Sequence, residues 1–213
     1  MRMIIDAHSH VAAPYYGLQT EYFGTRLGAV FTAEDLIRNM DRFNVDMSVT
    51  FPLVPVDWLP GWMPMNKIVA EAQEKHPDRI IGYGWINPKP GRTKKAIEEV
   101  EACIKDWGLK GVKLGPRYDG YYCNDPRLDE FYEKVVELGV PIIYHSGPTG
   151  GNSPTAICNV ADKFPKLNLI VGHIGVWWEL LTETAWLMKK YPNIYTETSG
   201  SVSVISVQRA VEE

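Results

Sequence analysis

IIDAHSH, residues 4–10, begins apolar and ends in an aspartate and two histidines, each two residues apart. Side chains at i, i+2 and i+4 of a strand share one face. A strand here turns Asp6, His8 and His10 the same way, and two imidazoles held side by side make half of a metal site. The bland reading is a surface strand with chance histidines. It loses weight because the chain has only five histidines in 213 residues, and these two fall at strand period.

The pattern returns along the chain. Strand-like apolar runs cover residues 3–10, 45–54, 79–88, 109–116, 140–147, 167–175 and 193–200, with helical patterns between them. Thr32 and Asp35 resemble a capping box. Asn66 and Thr93 are expected to cap the next two helices, the second closed by Gly108. Asp125-Pro126 opens a further helix that Gly139 closes. Strict alternation implies parallel strands joined by crossover helices. Near-continuous apolar strands imply that both sheet faces are covered. An open doubly wound sheet and a (β/α)8 barrel both satisfy this. No G-x-G-x-x-G follows the first strand, so the dinucleotide-binding version loses support. His8 and His10 end the first run, His145 the fifth and His173 the sixth. In a barrel, the carboxyl ends of the strands hold the active site. The remaining histidine, His76, precedes Pro77 at a helix end and is expected in solvent.

Composition narrows the classes. The chain is 45% hydrophobic with a formal net charge of -4, enough apolar content for one buried domain and too acidic for nucleic acid as main partner. No apolar run approaches membrane-span length, and no signal-peptide pattern opens the chain. Cys103, Cys123 and Cys158 are an odd, widely spaced set, which suggests reduced thiols and a cytoplasmic setting.

DAHSH at 6–10, GVKLGP at 111–116, NDPR at 124–127, IIYHSG at 142–147 and IVGHIG at 170–175 together resemble the amidohydrolase superfamily. The resemblance is to the amidohydrolase-related branch that includes amino-carboxymuconate-semialdehyde decarboxylase and related acid decarboxylases. It implies a distorted (β/α)8 barrel with a divalent metal, most often Zn2+, at the carboxyl end. It implies that His8, His10 and His145 ligate the metal and that His173 is the general acid/base. The physical logic agrees: zinc favours neutral imidazole nitrogen, an open position leaves room for water, and an imidazole nearby moves protons at neutral pH. The family also supplies an aspartate ligand at the end of strand eight. Residues 1–213 read as one barrel domain with about seven strands, so strand eight and its aspartate are expected in sequence beyond Glu213.

Other residues are candidates around that centre. Lys113 ends the fourth run and suits a substrate carboxylate, a structural ion pair or, less well, a metal bridge. Glu197 ends the seventh run and either reaches the site or pairs with Lys113. Asp6 suits a supporting role, orienting backbone or a ligand histidine. The loops after the first two strands are aromatic. Tyr15, Tyr16, Tyr22, Phe23, Trp58 and Trp62 suit a pocket wall, though loop packing would use them equally well. Arg26 or Arg117 suits a carboxylate grip. Trp177 and Trp178 suit a core or a subunit interface, which admits a homo-oligomer.

The leading expectation is a metal-dependent hydrolase of an amide, ester or lactone bond, acting on a small molecule. The alternative is a non-oxidative decarboxylase of an aromatic or unsaturated carboxylic acid. A non-catalytic barrel serving in binding or assembly is the third. A cationic clamp beside the metal would favour decarboxylation, and a roomy open site would favour hydrolysis.

Overall fold

The computed structural model describes residues 3–12, 19–22, 25–28, 32–53, 61–148, 150–175, 178–200 and 207–208. Strand β1 is Ile5–Val11, and β2 (Gln19–Tyr22) and β3 (Thr25–Gly28) form an antiparallel hairpin. Then follow α1 (Ala33–Phe43), β4 (Met47–Pro52), α2 (Trp62–Lys75), β5 (Ile80–Trp85) and α3 (Thr93–Glu101). Next come β6 (Gly111–Leu114), α4 (Pro116–Asp119), α5 (Asp129–Leu138), β7 (Ile142–Tyr144) and α6 (Pro154–Lys163). The last elements are β8 (Leu169–Val171), α7 (Trp178–Lys190) and β9 (Ile194–Thr196).

The large sheet has the order β1-β4-β5-β6-β7-β8-β9, every pair parallel. Strand order never reverses, so no doubly wound switch point exists among the described residues. The strands curl as a partial (β/α)8 barrel. The eighth strand expected from the sequence is not among the described residues.

Local sequence explains most of the frame. Thr32 and Asp35 form the expected capping box on α1, each side chain bonding the other's backbone. Asp125 caps the short turn into α5, and Gly139 ends that helix with φ 68°. Two expected caps are wrong. Asn66 lies inside α2, which starts at Trp62 with Pro64 in its first turn, where a missing N–H costs little. The Asn66 amide is buried and spent on the backbone of Trp85. Thr93 is the first residue of α3, and Arg92 precedes it without a side-chain cap. The stretch read as a plain aromatic loop contains the β2–β3 hairpin, and His76 is half-buried at the end of α2.

Two apolar layers result. Outside the sheet, Leu36, Val69, Val100, Val135 and Val160 bring the helices onto it. Inside, Phe51, Tyr83 and Ile143 plug the barrel, backed by Val49, Ile81 and Ile170. Alternation places the next inward side chains at the carboxyl end: Trp85 from β5, Lys113 from β6 and His145 just past β7.

Candidate active site

The carboxyl end of this half-barrel gathers four histidines. His8 and His10 approach at 3.2 Å between their Nε2 atoms, and His145 Nδ1 lies 3.0 Å from His173 Nε2. The His8 and His173 rings are 4.5 Å apart, which joins the two pairs. Phe51 forms the floor, with both strand-one imidazoles edge-on at 4.6 and 4.7 Å.

Glu197 ties the cluster together. Its Oε1 accepts from His8 Nδ1 at 2.7 Å and from the His173 backbone N–H at 2.6 Å, and its Oε2 accepts from the Ser199 N–H at 2.6 Å. His173 has φ 60° and Ile174 φ 44°, a left-handed pair that costs energy without glycine. The Glu197 bond holds that turn. The preceding Gly172 has no room for a side chain, since a Cβ there would sit 2.3 Å from the Tyr144 carbonyl oxygen.

The acceptors fix the histidine tautomers. His10 Nδ1 faces the Pro52 carbonyl at 2.9 Å and so carries the proton, as does His8 Nδ1 facing the carboxylate. His173 Nδ1 faces the Ser199 carbonyl at 3.1 Å and its hydroxyl at 2.9 Å. Burial first, then the charge of Lys113, pushes His8 down to about 4. Burial likewise takes His10 well below its ordinary range, and takes His145 down to about 2 with His173 and Lys113 adding to the effect. His173 is lowered by burial and then by Lys113. Burial alone would lift Glu197, but the bonds from His8, Ser199 and the His173 amide hold it ionised, at about 2. The His8–Glu197 contact is thus a neutral imidazole donating to a carboxylate.

These imidazoles fit a divalent cation. With both Nδ1 atoms protonated, His8 and His10 turn two bare lone pairs towards each other at 3.2 Å, an arrangement that a cation between them would satisfy. Ligand atoms of His8, His173 and Glu197 also lie within 4.8 Å of one another. The anionic partner on His8 is the carboxylate–histidine arrangement that orients metal ligands.

Lys113 stands beside this centre, 1% exposed. Its Nζ has no hydrogen-bond partner among the described residues, and lies 4.3 Å from the Phe51 ring centre and 5.7 Å from that of Trp85. Burial pushes it down to about 7. It does not bond Glu197, whose oxygens are spent elsewhere. Asp6 accepts from the His8 backbone N–H at 3.0 Å across a register shift in β1 and does not bond a histidine ring.

Arg117 is exposed on α4, where its charge helps keep His145 neutral. Tyr15, Tyr16, Phe23, Trp58 and Trp177 lie outside the described residues, as do the side chains of Tyr22, Arg26 and Trp178. Residues missed in the sequence complete the neighbourhood: Phe51, Ser199, Trp85, Tyr118 and Asp119. Tyr118 packs on His145 at 4.7 Å, and Asp119 binds the indoles of Trp62 and Trp85. Two-residue alternation along RIIGYGWINP carries the one available signal, since Ile81, Tyr83 and Trp85 share a face.

No helix among the described residues is long and apolar enough to cross a membrane. Among curated proteins, the chain is 29% identical over 117 residues to 2-amino-3-carboxymuconate-6-semialdehyde decarboxylase of Dictyostelium discoideum, covering 51% of this chain and 32% of that protein. It is 29% identical over 120 residues to 2-keto-4-carboxy-3-hexenedioate hydratase of a Sphingobium species, covering 51% and 35%. The matches span about a third of the length of these relatives. In fold it is similar to 5-carboxyvanillate decarboxylase of Novosphingobium aromaticivorans, solved with bound manganese, with a TM-score of 0.75 at 15% identity over 99% of this chain and 83% of that one. The amidohydrolase family model matches residues 5–212, nearly the whole run of strands and histidines described above, and the chain belongs to that family.

Proposed function

We propose that the chain is a metal-dependent, non-oxidative decarboxylase of an aromatic or conjugated carboxylic acid. The observation that carries this reading is Lys113, a fully buried amine beside the histidine cluster whose Nζ has no hydrogen-bond partner among the described residues. A buried charge without a counter-ion is costly, and a substrate carboxylate supplies one. A decarboxylase and a hydratase among the relatives, both named for carboxylated compounds, support it further. Hydrolysis of an amide, ester or lactone, the leading expectation from sequence, uses the same histidines but gives Lys113 no task.

His8, His10 and His145 would hold the metal, which when bound supplies positive charge to orient the acid and stabilise the electron pair left on carbon. Their nitrogens suit zinc, and manganese in the similar fold keeps the identity at the level of a divalent ion. Lys113 binds the carboxylate. That contact offsets the positive charge that helps keep His173 neutral. His173, with Nδ1 held by Ser199, then takes up a proton at Nε2. It delivers that proton to the carbon as the bond to the carboxylate breaks and carbon dioxide leaves. Glu197 keeps His8 and the His173 turn in place, and burial of the cluster limits competing water.

The test is an assay of the full chain, loaded separately with Zn2+ and with Mn2+. Carbon dioxide release from a panel of hydroxybenzoic and unsaturated acids is measured beside hydrolysis of amides, esters and lactones. Carbon dioxide release from at least one acid, lost on Lys113→Met, is expected. Turnover confined to the hydrolysis substrates would overturn the reading.

A further inference from the structure

Asp119 has no part in the chemistry above, yet each of its two oxygens is held by an indole N–H. Its Oδ1 accepts the Trp62 indole N–H at 3.1 Å and its Oδ2 accepts that of Trp85 at 3.2 Å. The two indoles stack with ring centres 4.1 Å apart and planes 10° from parallel. Trp62 comes from α2, Trp85 from β5 and Asp119 from α4, so one carboxylate fastens three elements at the mouth of the barrel. Trp85 has no freedom elsewhere: Asn66 brackets its backbone, and Gly115 leaves its ring edge no space to move, since a Cβ there would lie 2.2 Å from it.

The fastened wall meets the substrate site at two points. Trp85 turns towards Lys113 Nζ at 5.7 Å. Tyr118, the residue before Asp119, has its ring 6.0 Å from Trp85 and 4.7 Å from His145, and is 39% exposed. A ring whose carboxylate sits on Lys113 would find the part-exposed Tyr118 as its aromatic neighbour, with the indole pair held behind it. We infer that Asp119 is a positioning residue that sets this aromatic wall, and that the wall selects flat, conjugated acids over saturated ones. The inference rests on the proposed role of Lys113 in binding a carboxylate. A flat face of fixed orientation favours ring-on-ring contact, which a puckered saturated ring cannot match. Burial lifts the Asp119 carboxyl to about 6 against the two indole bonds, so it remains the doubly accepting carboxylate at neutral pH.

The experiment compares benzoate with cyclohexanecarboxylate, equal in charge and carbon count and different in planarity. Binding of each to the metal-loaded full chain is measured by calorimetry. The unaltered protein is expected to prefer benzoate by roughly tenfold. Asp119→Asn presents an amide N–H to one indole N–H, frees that ring, and should bring the preference within about twofold while metal content stays unchanged. Tyr118→Leu removes the exposed ring of the wall and leaves the Asp119 carboxylate in place; it should do the same, so it decides the matter if Asp119→Asn fails to fold. Equal binding of both acids by the unaltered protein overturns the wall and leaves the Lys113 reading intact. So does a preference that survives either variant. Failure of both acids to bind, or binding unaffected by Lys113→Met, overturns the Lys113 reading and this inference with it.

Discussion

Lys113→Met should make the metal-stripped protein more stable while removing its grip on acids. The ordinary lysine value of 10.5 falls to about 7 at this site, chiefly through burial. At about 1.36 kcal/mol per pH unit, that is about 5 kcal/mol of preference for the neutral amine in the folded state. Folding therefore sheds a proton that the unfolded chain keeps, so stability is fully present above 10.5 and is lost as pH falls through about 7. Methionine fills a similar volume and gives up the attraction of the ammonium to the Phe51 ring, worth about 0.5–2 kcal/mol. The net gain at pH 7 is about 3 kcal/mol. Urea unfolding of both proteins at pH 7, 8.5 and 10 measures it, and the gap should close as pH rises. A variant no more stable than the parent at pH 7, or a gap that ignores pH, would refute the reasoning that burial without a hydrogen-bond partner among the described residues penalises the charged form of Lys113.

Glu197→Gln keeps one acceptor for His8 but removes the charge and sets an N–H2 against the Ser199 N–H. Metal affinity in a chelator competition should fall about 10–100-fold, and unchanged affinity would detach Glu197 from the metal centre. His173→Asn should retain metal, measured by elemental analysis, while turnover drops about 10²–10⁴-fold; loss of both together would make His173 a ligand. Acid should destabilise the metal-stripped protein early. His8 at about 4 and His145 at about 2 both lie below the unfolded 6.5. Their contribution is present above pH 6.5 and lost as pH falls through that window, with Glu197 adding to the loss below its ordinary 4.5. Urea midpoints that stay flat from pH 7 to 4.5 would contradict this.

The seven parallel strands were legible because each is a short apolar run whose punctuation is local, and histidines mark the carboxyl ends of β1, β7 and β8. The Thr32–Asp35 box was legible for the same reason, its partners being three residues apart. The aromatic wall was not. Asp119 meets Trp62 across 57 residues and Trp85 across 34, and nothing near GVKLGP announces that a carboxylate three residues after it serves two distant indoles. Asn66 misled because a polar residue early in a helix reads as a cap, whereas its partner is a strand end 19 residues on. At β1, the register shift between Asp6 and Ser9 changes the pairing with β4, which the sequence did not announce, while His8 and His10 still meet at 3.2 Å.

Asn66 carries one more consequence. Its Nδ2 donates to the Trp85 carbonyl at 2.8 Å and its Oδ1 accepts the Trp85 N–H at 2.7 Å, so a side-chain amide imitates the neighbouring strand that β5 lacks at its tip. Aspartate has no proton to give, glutamine is one carbon too long, and leucine strands two backbone groups at about 1–3 kcal/mol each. In a saturation-mutagenesis scan, position 66 would therefore tolerate as little as the histidines do, without touching any reactant. A map of intolerant positions would draw the active site too large, extending it into helix α2, and only a readout that separates folding from turnover would redraw its true edge.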